Sequence, residues 1–360
     1  MNDKYKILDN RINDDFKSKT LSGFQKKDVI NALFKAIDQG KIENACYWCT
    51  ECVVSGYTMK IWDRLINYSC KIIHINNPRL PIFLYKKNNI FFNQIQRLNI
   101  KNKDCLIIRN SQMIRNLLCD VIITVITSEK KKKFDKLIKI KGEDFNIKNK
   151  LQANLNILPT HILRFDDPEE FKIIMNEFYF HLKNRLSGYD KAIYWILWLL
   201  EWEKKHKKQK QQWAIPVRKV NIKNDKDKCD FIWIIWEIIF EELKERHEKI
   251  LKTIIKVLYA LFLNNYTSSR RNGRIFLIYN SIGYLTNTIE YNKPIRLNEI
   301  LYIQTQSNIN KMYELIKKNE INNAPIKPPK IPALKGKNLE KDIEKEKMLD
   351  KLNLFNDFEI

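Results

Sequence analysis

Residues 24–78 read FQKKDVINALFKAIDQGKIENACYWCTECVVSGYTMKIWDRLINYSCKIIHINNP, and this stretch decides the fold class. Val29, Ile30, Leu33, Ala36 and Ile37 recur at the spacing of one helix face, which predicts a helix from about Lys26. Gly40 follows where a left-handed cap is expected, because glycine alone takes that conformation without a Cβ penalty. A second helix is expected over about 42–54, ended by Gly56. A third is expected over roughly 59–75, with Ile61, Leu65, Tyr68 and Ile72 on one face and Asn77-Pro78 as its stop. Three helices with short connections predict a bundle with Leu33, Trp48 and Leu65 inside.

Outward from this stretch, composition points the same way. Only 8 glycines and 10 prolines punctuate 360 residues, too few turn residues for a sheet protein, so the expectation is an all-α chain. Hydrophobic residues make up 44%, which excludes a wholly disordered chain. Residues 1–21 read as a flexible N-terminus, 22–86 as the first helical bundle and 87–165 as an irregular connecting region. In that region Leu106-Ile107-Ile108 and Val121–Ile126 fit buried strands or buried helix, and Lys130–Lys133 mark an exposed turn or helix end. A second bundle is expected over 166–320, with helices near 170–186, 190–208, 230–263 (continuous or broken), 274–285 and 297–318. Asp166-Asp167-Pro168-Glu169-Glu170 reads as a helix start, with acids at the positive end of the dipole. Residues 321–360 form a Pro- and Lys-rich linker followed by a tail.

One internal echo stands out. Ala45, Tyr47 and Trp48 recur as Ala192, Tyr194 and Trp195. Both duplication and convergence on aromatic packing account for it.

The charge is 65 basic against 42 acidic residues, or +23. Such a surface suits a polyanion, since each neutralised phosphate releases condensed counterions. Two clusters are the candidate nucleic-acid contacts. Lys204, Lys205, Lys207, Lys208 and Lys210 extend one predicted helix past its apolar part. Arg270, Arg271 and Arg274 surround Asn272-Gly273, which reads as a turn. A helix C-terminus attracts cations without any ligand, which accounts for part of the first cluster.

No catalytic or metal-binding residues, and no cofactor, are expected. Cys46, Cys49 and Cys52 lack a fourth ligand nearby and read as small core hydrophobes. The five histidines are isolated. Trp195, Trp198, Trp202, Trp233 and Trp236 are spaced for an interface between helices, with base stacking as the lesser reading. Glu201 and Glu237 among them read as edge residues or partners of a base. Seven scattered cysteines and an N-terminus without an apolar core suggest a reducing intracellular compartment, cytoplasm or nucleus. The apolar runs near 193–200 and 231–240 fall short of the roughly 20 residues of a membrane span, so no membrane is expected.

Residues 24–85 also resemble the C-terminal helical region of the RarA/MgsA replication-associated recombination ATPases, above all its stand-alone phage versions. Asn31–Ile37 is similar to the family's first helix, Glu43–Trp48 with Gly56 to its second, and Trp62–Leu65 through Asn77-Pro78 to its third. The chain departs from the pattern at Cys70–Ile75, where the family has "SEDIG". The resemblance implies a clamp-loader-collar-like oligomerising module with an AAA+ ATPase as partner. No GxxxxGK[ST] phosphate cradle occurs, so the module reads as detached from its motor. Leu352, Leu354 and Phe355, in KLNLF after the linker, resemble the peptide by which replication proteins grip a sliding clamp, with Lys351 in place of its glutamine. The expected function is a non-catalytic accessory subunit of DNA replication or recombination, of viral type. The alternatives are a virion-type structural protein and an enzyme with an unrecognised site.

Overall fold

A computed structural model describes residues 3–97, 105–131, 138–154, 156–211, 213–296 and 298–321. Among the described residues twelve α-helices follow in order: α1 Lys26–Gln39, α2 Ile42–Val54, α3 Thr58–Tyr68, α4 Leu80–Arg97, α5 Gln112–Thr127, α6 Glu170–Lys183, α7 Gly188–Lys208, α8 Asp225–Lys228, α9 Ile232–Lys244, α10 Lys249–Leu263, α11 Arg271–Thr286 and α12 Glu299–Lys317. Among the described residues there is no strand, only one isolated bridge between Lys19 and Gln25. The fold is all-α. No described helix is long and apolar enough to cross a membrane.

The chain divides into two units, and the division differs from the linear order expected above. The first unit comprises Met1–Leu65, Lys86–Ser128 and the chain from Arg296 on, and the second comprises Ile66–Tyr85 and Glu129–Ile295. The predicted bundle at 22–86 is therefore shared between units, and α12 belongs with the first. Sequence periodicity reports which face of a helix is buried and is silent on which partner covers it.

In the first unit α2 packs against α1, α5 and α12. Leu33, Trp48 and Leu65 are buried, as predicted. Gly40 caps α1 at φ 73° and Gly56 follows α2 at φ 78°. Cys46, Cys49 and Cys52 are buried on α2. A hydrogen bond with Cys119 and burial push the Cys46 thiol well up, and burial does the same to Cys49 and Cys52. All three thiols stay protonated and pack as small hydrophobes. The run Val121–Ile126 is helical: it lies in α5, buried almost all round, so no polar face shows in its sequence. Leu106-Ile107-Ile108 is a 3-10 turn.

The N-terminal segment is not the loose arm expected from its polarity. Ile7, Phe16 and Leu21 are buried. Asn110 pairs with both backbone groups of Ile7, at 2.8 and 2.9 Å. The Tyr57 hydroxyl donates to the Phe16 carbonyl at 2.6 Å, and Arg115 of α5 donates to the Tyr5 carbonyl at 2.9 Å. These partners satisfy a backbone that has only short 3-10 turns, over Asp3–Tyr5 and Asn13–Phe16, of its own.

The second unit is built on the α6–α7 pair, with α9, α10 and α11 completing the core. The predicted helix over 230–263 is broken into α9 and α10. Trp195, Trp198, Trp233 and Trp236 are buried, so these four are packing residues. The Tyr-Trp echo has a structural counterpart. Tyr47-Trp48 and Tyr194-Trp195 each lie in the second helix of a short-looped pair, one in each unit. Within each pair the rings cross at 81° and 82°.

The third predicted helix ends early. After α3 the backbone widens into a π-type turn over Ser69–Ile73 and a 3-10 turn over His74–Asn76. His74 has φ 54°, is buried, and meets the Tyr189 hydroxyl at 3.1 Å. Gly283 makes room for its ring, since a Cβ there would stand 2.3 Å from the imidazole. Burial, with Lys131 nearby, holds His74 down to about 3, and burial with Lys191 holds His181 down to about 4. The unfolded chain takes up these protons near the ordinary value, about 6.5, and the folded chain does not. The stability they contribute is therefore complete above that pH and is lost as pH falls towards 4. Between pH 7 and pH 5 each histidine should cost the second unit about 2 kcal/mol. Urea denaturation at the two pH values measures this, and His74→Gln should remove about half of the difference.

Candidate nucleic-acid interface at the end of α7

Helix α7 is apolar over its first half and basic over its last turn. Lys204, Lys205, Lys207, Lys208 and Lys210 are all exposed. Two of them have local partners: Lys204 lies 2.5 Å from Glu201, and Lys207 lies 3.1 Å from Glu203. Lys205 sits 4.8 Å from the ring centres of both Phe145 and Trp202. The helix ends at Lys208 with Gln209 as its cap, and Lys210 takes a positive φ of 59°.

The arginine cluster is arranged differently from the expectation. Asn272-Gly273 is not a turn but the first turn of α11. Arg270 is exposed, whereas Arg271 and Arg274 are buried. Arg274 donates to the Phe262 carbonyl at 2.7 Å. Arg271 donates to both oxygens of Asp230, at 2.8 and 2.9 Å, and pairs with Glu203. Arg271 and Arg274 are thereby corrected from phosphate ligands to internal ties. Their charge is spent on carboxylates and a carbonyl that burial would otherwise leave unpaired.

A cleft of about 160 Å³ opens beside this tie, lined by Trp213, Ile215, His206, Lys207, Arg271 and Asp230. Burial alone would raise the Glu203 carboxyl, but Arg271 and Lys207 outweigh it and hold the group below its ordinary value. Burial would lower Arg271, but Asp230 and Glu203 outweigh it and raise it further. Arg271 thus stands between two carboxylates, Asp230 and Glu203, and Lys207 also pairs with Glu203.

Further residues emerge only here. Arg218 is buried and donates to the Ile162 carbonyl at 3.0 Å and to Glu237 at 2.8 Å, and it pairs with Asp167. Asp167, expected to cap a helix, is thus the partner of a buried arginine, while Glu169 and Glu170 begin α6 as expected. Glu237, expected at an edge or with a base, has found that base. Phe145 joins the basic helix end from a 3-10 turn in the stretch that reads as irregular. The tail residues Leu352, Leu354 and Phe355, and the linker before them, lie outside the described residues.

Comparison with protein-family models, with curated proteins and with solved structures finds no match to this chain.

Proposed function

We propose that this chain is a non-catalytic helical subunit that holds nucleic acid, an accessory factor in DNA replication or recombination. The observation that carries the reading is the exposed basic end of α7: Lys204, Lys205, Lys207, Lys208 and Lys210, with Arg270 also exposed. The net charge of +23 supports it, since a strongly basic chain attracts a polyanion. The collar-like resemblance of residues 24–85 supports a replication setting. An AAA+ ATPase and a second copy of the chain are the partners it implies, and the tail peptide with Leu352, Leu354 and Phe355 adds a sliding clamp. With no phosphate cradle in the sequence, the purified protein should leave ATP unhydrolysed.

The test is binding to labelled DNA as a function of salt. Each phosphate contact adds about 0.7–0.9 to the log–log slope. Replacing Lys205, Lys208 and Lys210 together with alanine should therefore flatten the slope by about 2 to 3 units and weaken binding for all sequences alike. Unchanged affinity and slope would make the cluster a solvated helix end.

A further inference from the structure

We infer that the polymer held at this site is single-stranded, with its unpaired bases stacked on a ladder of aromatic rings beneath the lysines. The inference rests on the nucleic-acid reading above and adds the class of strand. The ladder is Phe145, Trp202, His206 and Trp213. Neighbouring ring centres lie 4.9 Å apart with planes at 50° from Phe145 to Trp202, 4.9 Å at 63° from Trp202 to His206 and 5.5 Å at 87° from His206 to Trp213, so successive rings turn different faces outward. Trp202 is also stacked on buried Trp198, with centres 5.0 Å apart and planes 19° apart. Trp213 is fixed at the far end by its Nε1 donating to Glu170 at 2.9 Å.

Every rung is only half-buried, in contrast to the four tryptophans of the core. Phe145, Trp202 and Trp213 pack against the core of the second unit with part of each side chain left accessible. Here the chain leaves part of each ring open and sets exposed lysines among them. Lys205 lies over two rungs at once, held by the negative faces of the rings. A single strand satisfies both halves of this arrangement. Its bases offer π-faces to the rings, and its phosphates accept the lysines. Lys205 would then exchange its ring contacts for a phosphate as a base takes its place. A duplex offers phosphates but keeps its base faces stacked inside, so it engages the lysines alone. Trp213 and His206 also wall the cleft, so the ladder ends where a base could turn in beside Trp213.

The experiment titrates the full chain with a short oligothymidylate, an oligouridylate of equal length and a duplex of matched charge. Tryptophan emission and anisotropy are read together. The expected result is quenching by the single strands and tighter binding of them than of the duplex. The relative affinity of the thymidylate and uridylate identifies DNA or RNA as the strand. Phe145→Ala and Trp202→Ala should each weaken single-strand binding about 5- to 150-fold, the range that base–aromatic stacking spans, and leave duplex binding unchanged. Phe145 lies on a short 3-10 turn outside the helices, so its variant reads the stack even where loss of Trp202 disturbs α7. Equal affinity for duplex and single strand with unchanged emission would overturn the inference and leave the phosphate-binding reading standing. Binding to neither polymer would overturn both.

Discussion

Arg271→Ala should destabilise the second unit by about 3–5 kcal/mol, the scale of a buried ion pair broken on one side only. The guanidinium is buried and meets two acids at once. Asp230 is committed further, accepting the Ile232 amide at 3.0 Å. Removing the arginine leaves Asp230 buried without its cation, while Glu203 keeps only the exposed Lys207. The Glu203 pKa is depressed in the folded chain, so its share of stability is present above the ordinary carboxylate range and lost as pH falls through the folded value. The gap between wild type and variant should therefore narrow in acid. Urea denaturation followed by tryptophan emission reports this directly, since six of the chain's 8 tryptophans lie in the second unit. Adding Asp230→Asn to the variant should restore part of the loss, and the double-mutant cycle gives the coupling. An alanine variant of wild-type stability would mean that Arg271 is solvated and free for a ligand after all.

Arg218→Ala is expected to cost as much, about 3–5 kcal/mol, and to lower the melting midpoint by roughly 10 °C. Its guanidinium is 1% exposed and ties the Ile162 carbonyl and Asp167, ahead of α6, to Glu237 on α9. Burial raises the Glu237 pKa above its ordinary value in spite of the pull of Arg218 and Arg164. With Arg218 gone, Glu237 can take up a proton, but Asp167 is left inside with only the Arg164 amide to serve it. The segment 162–168 also carries Phe165, which is fully exposed, and losing its anchor should open the segment to protease before the unit melts. A variant that melts with wild type and resists protease equally would show that Arg218 adds nothing to the fold.

The helices were legible in the sequence because their cause is local. A 3.6-residue period of apolar side chains, a glycine where the backbone turns left-handed at Gly40, and Asn77-Pro78 where a helix cannot continue all act within a few residues of themselves. The buried Trp48 and the buried cysteines of α2 followed from the same pattern. α5 did not show its period, because it is covered almost all round and has no polar face to alternate with. The N-terminal segment was misread for a related reason: Ile7, Phe16 and Leu21 are too few and too far apart to show a period, yet each finds a buried place. The lysines at the end of α7 could be found because five in seven residues exceed what one helix turn can hide. The arginines could not be sorted. Arg270 is exposed and Arg271 buried, and what separates them is Glu203 and Asp230, which lie 68 and 41 residues away. Which helices share a unit, which charge is internal and which ring remains half-open are properties of partners brought together from afar. A local pattern specifies a face, and only the tertiary structure supplies what covers it.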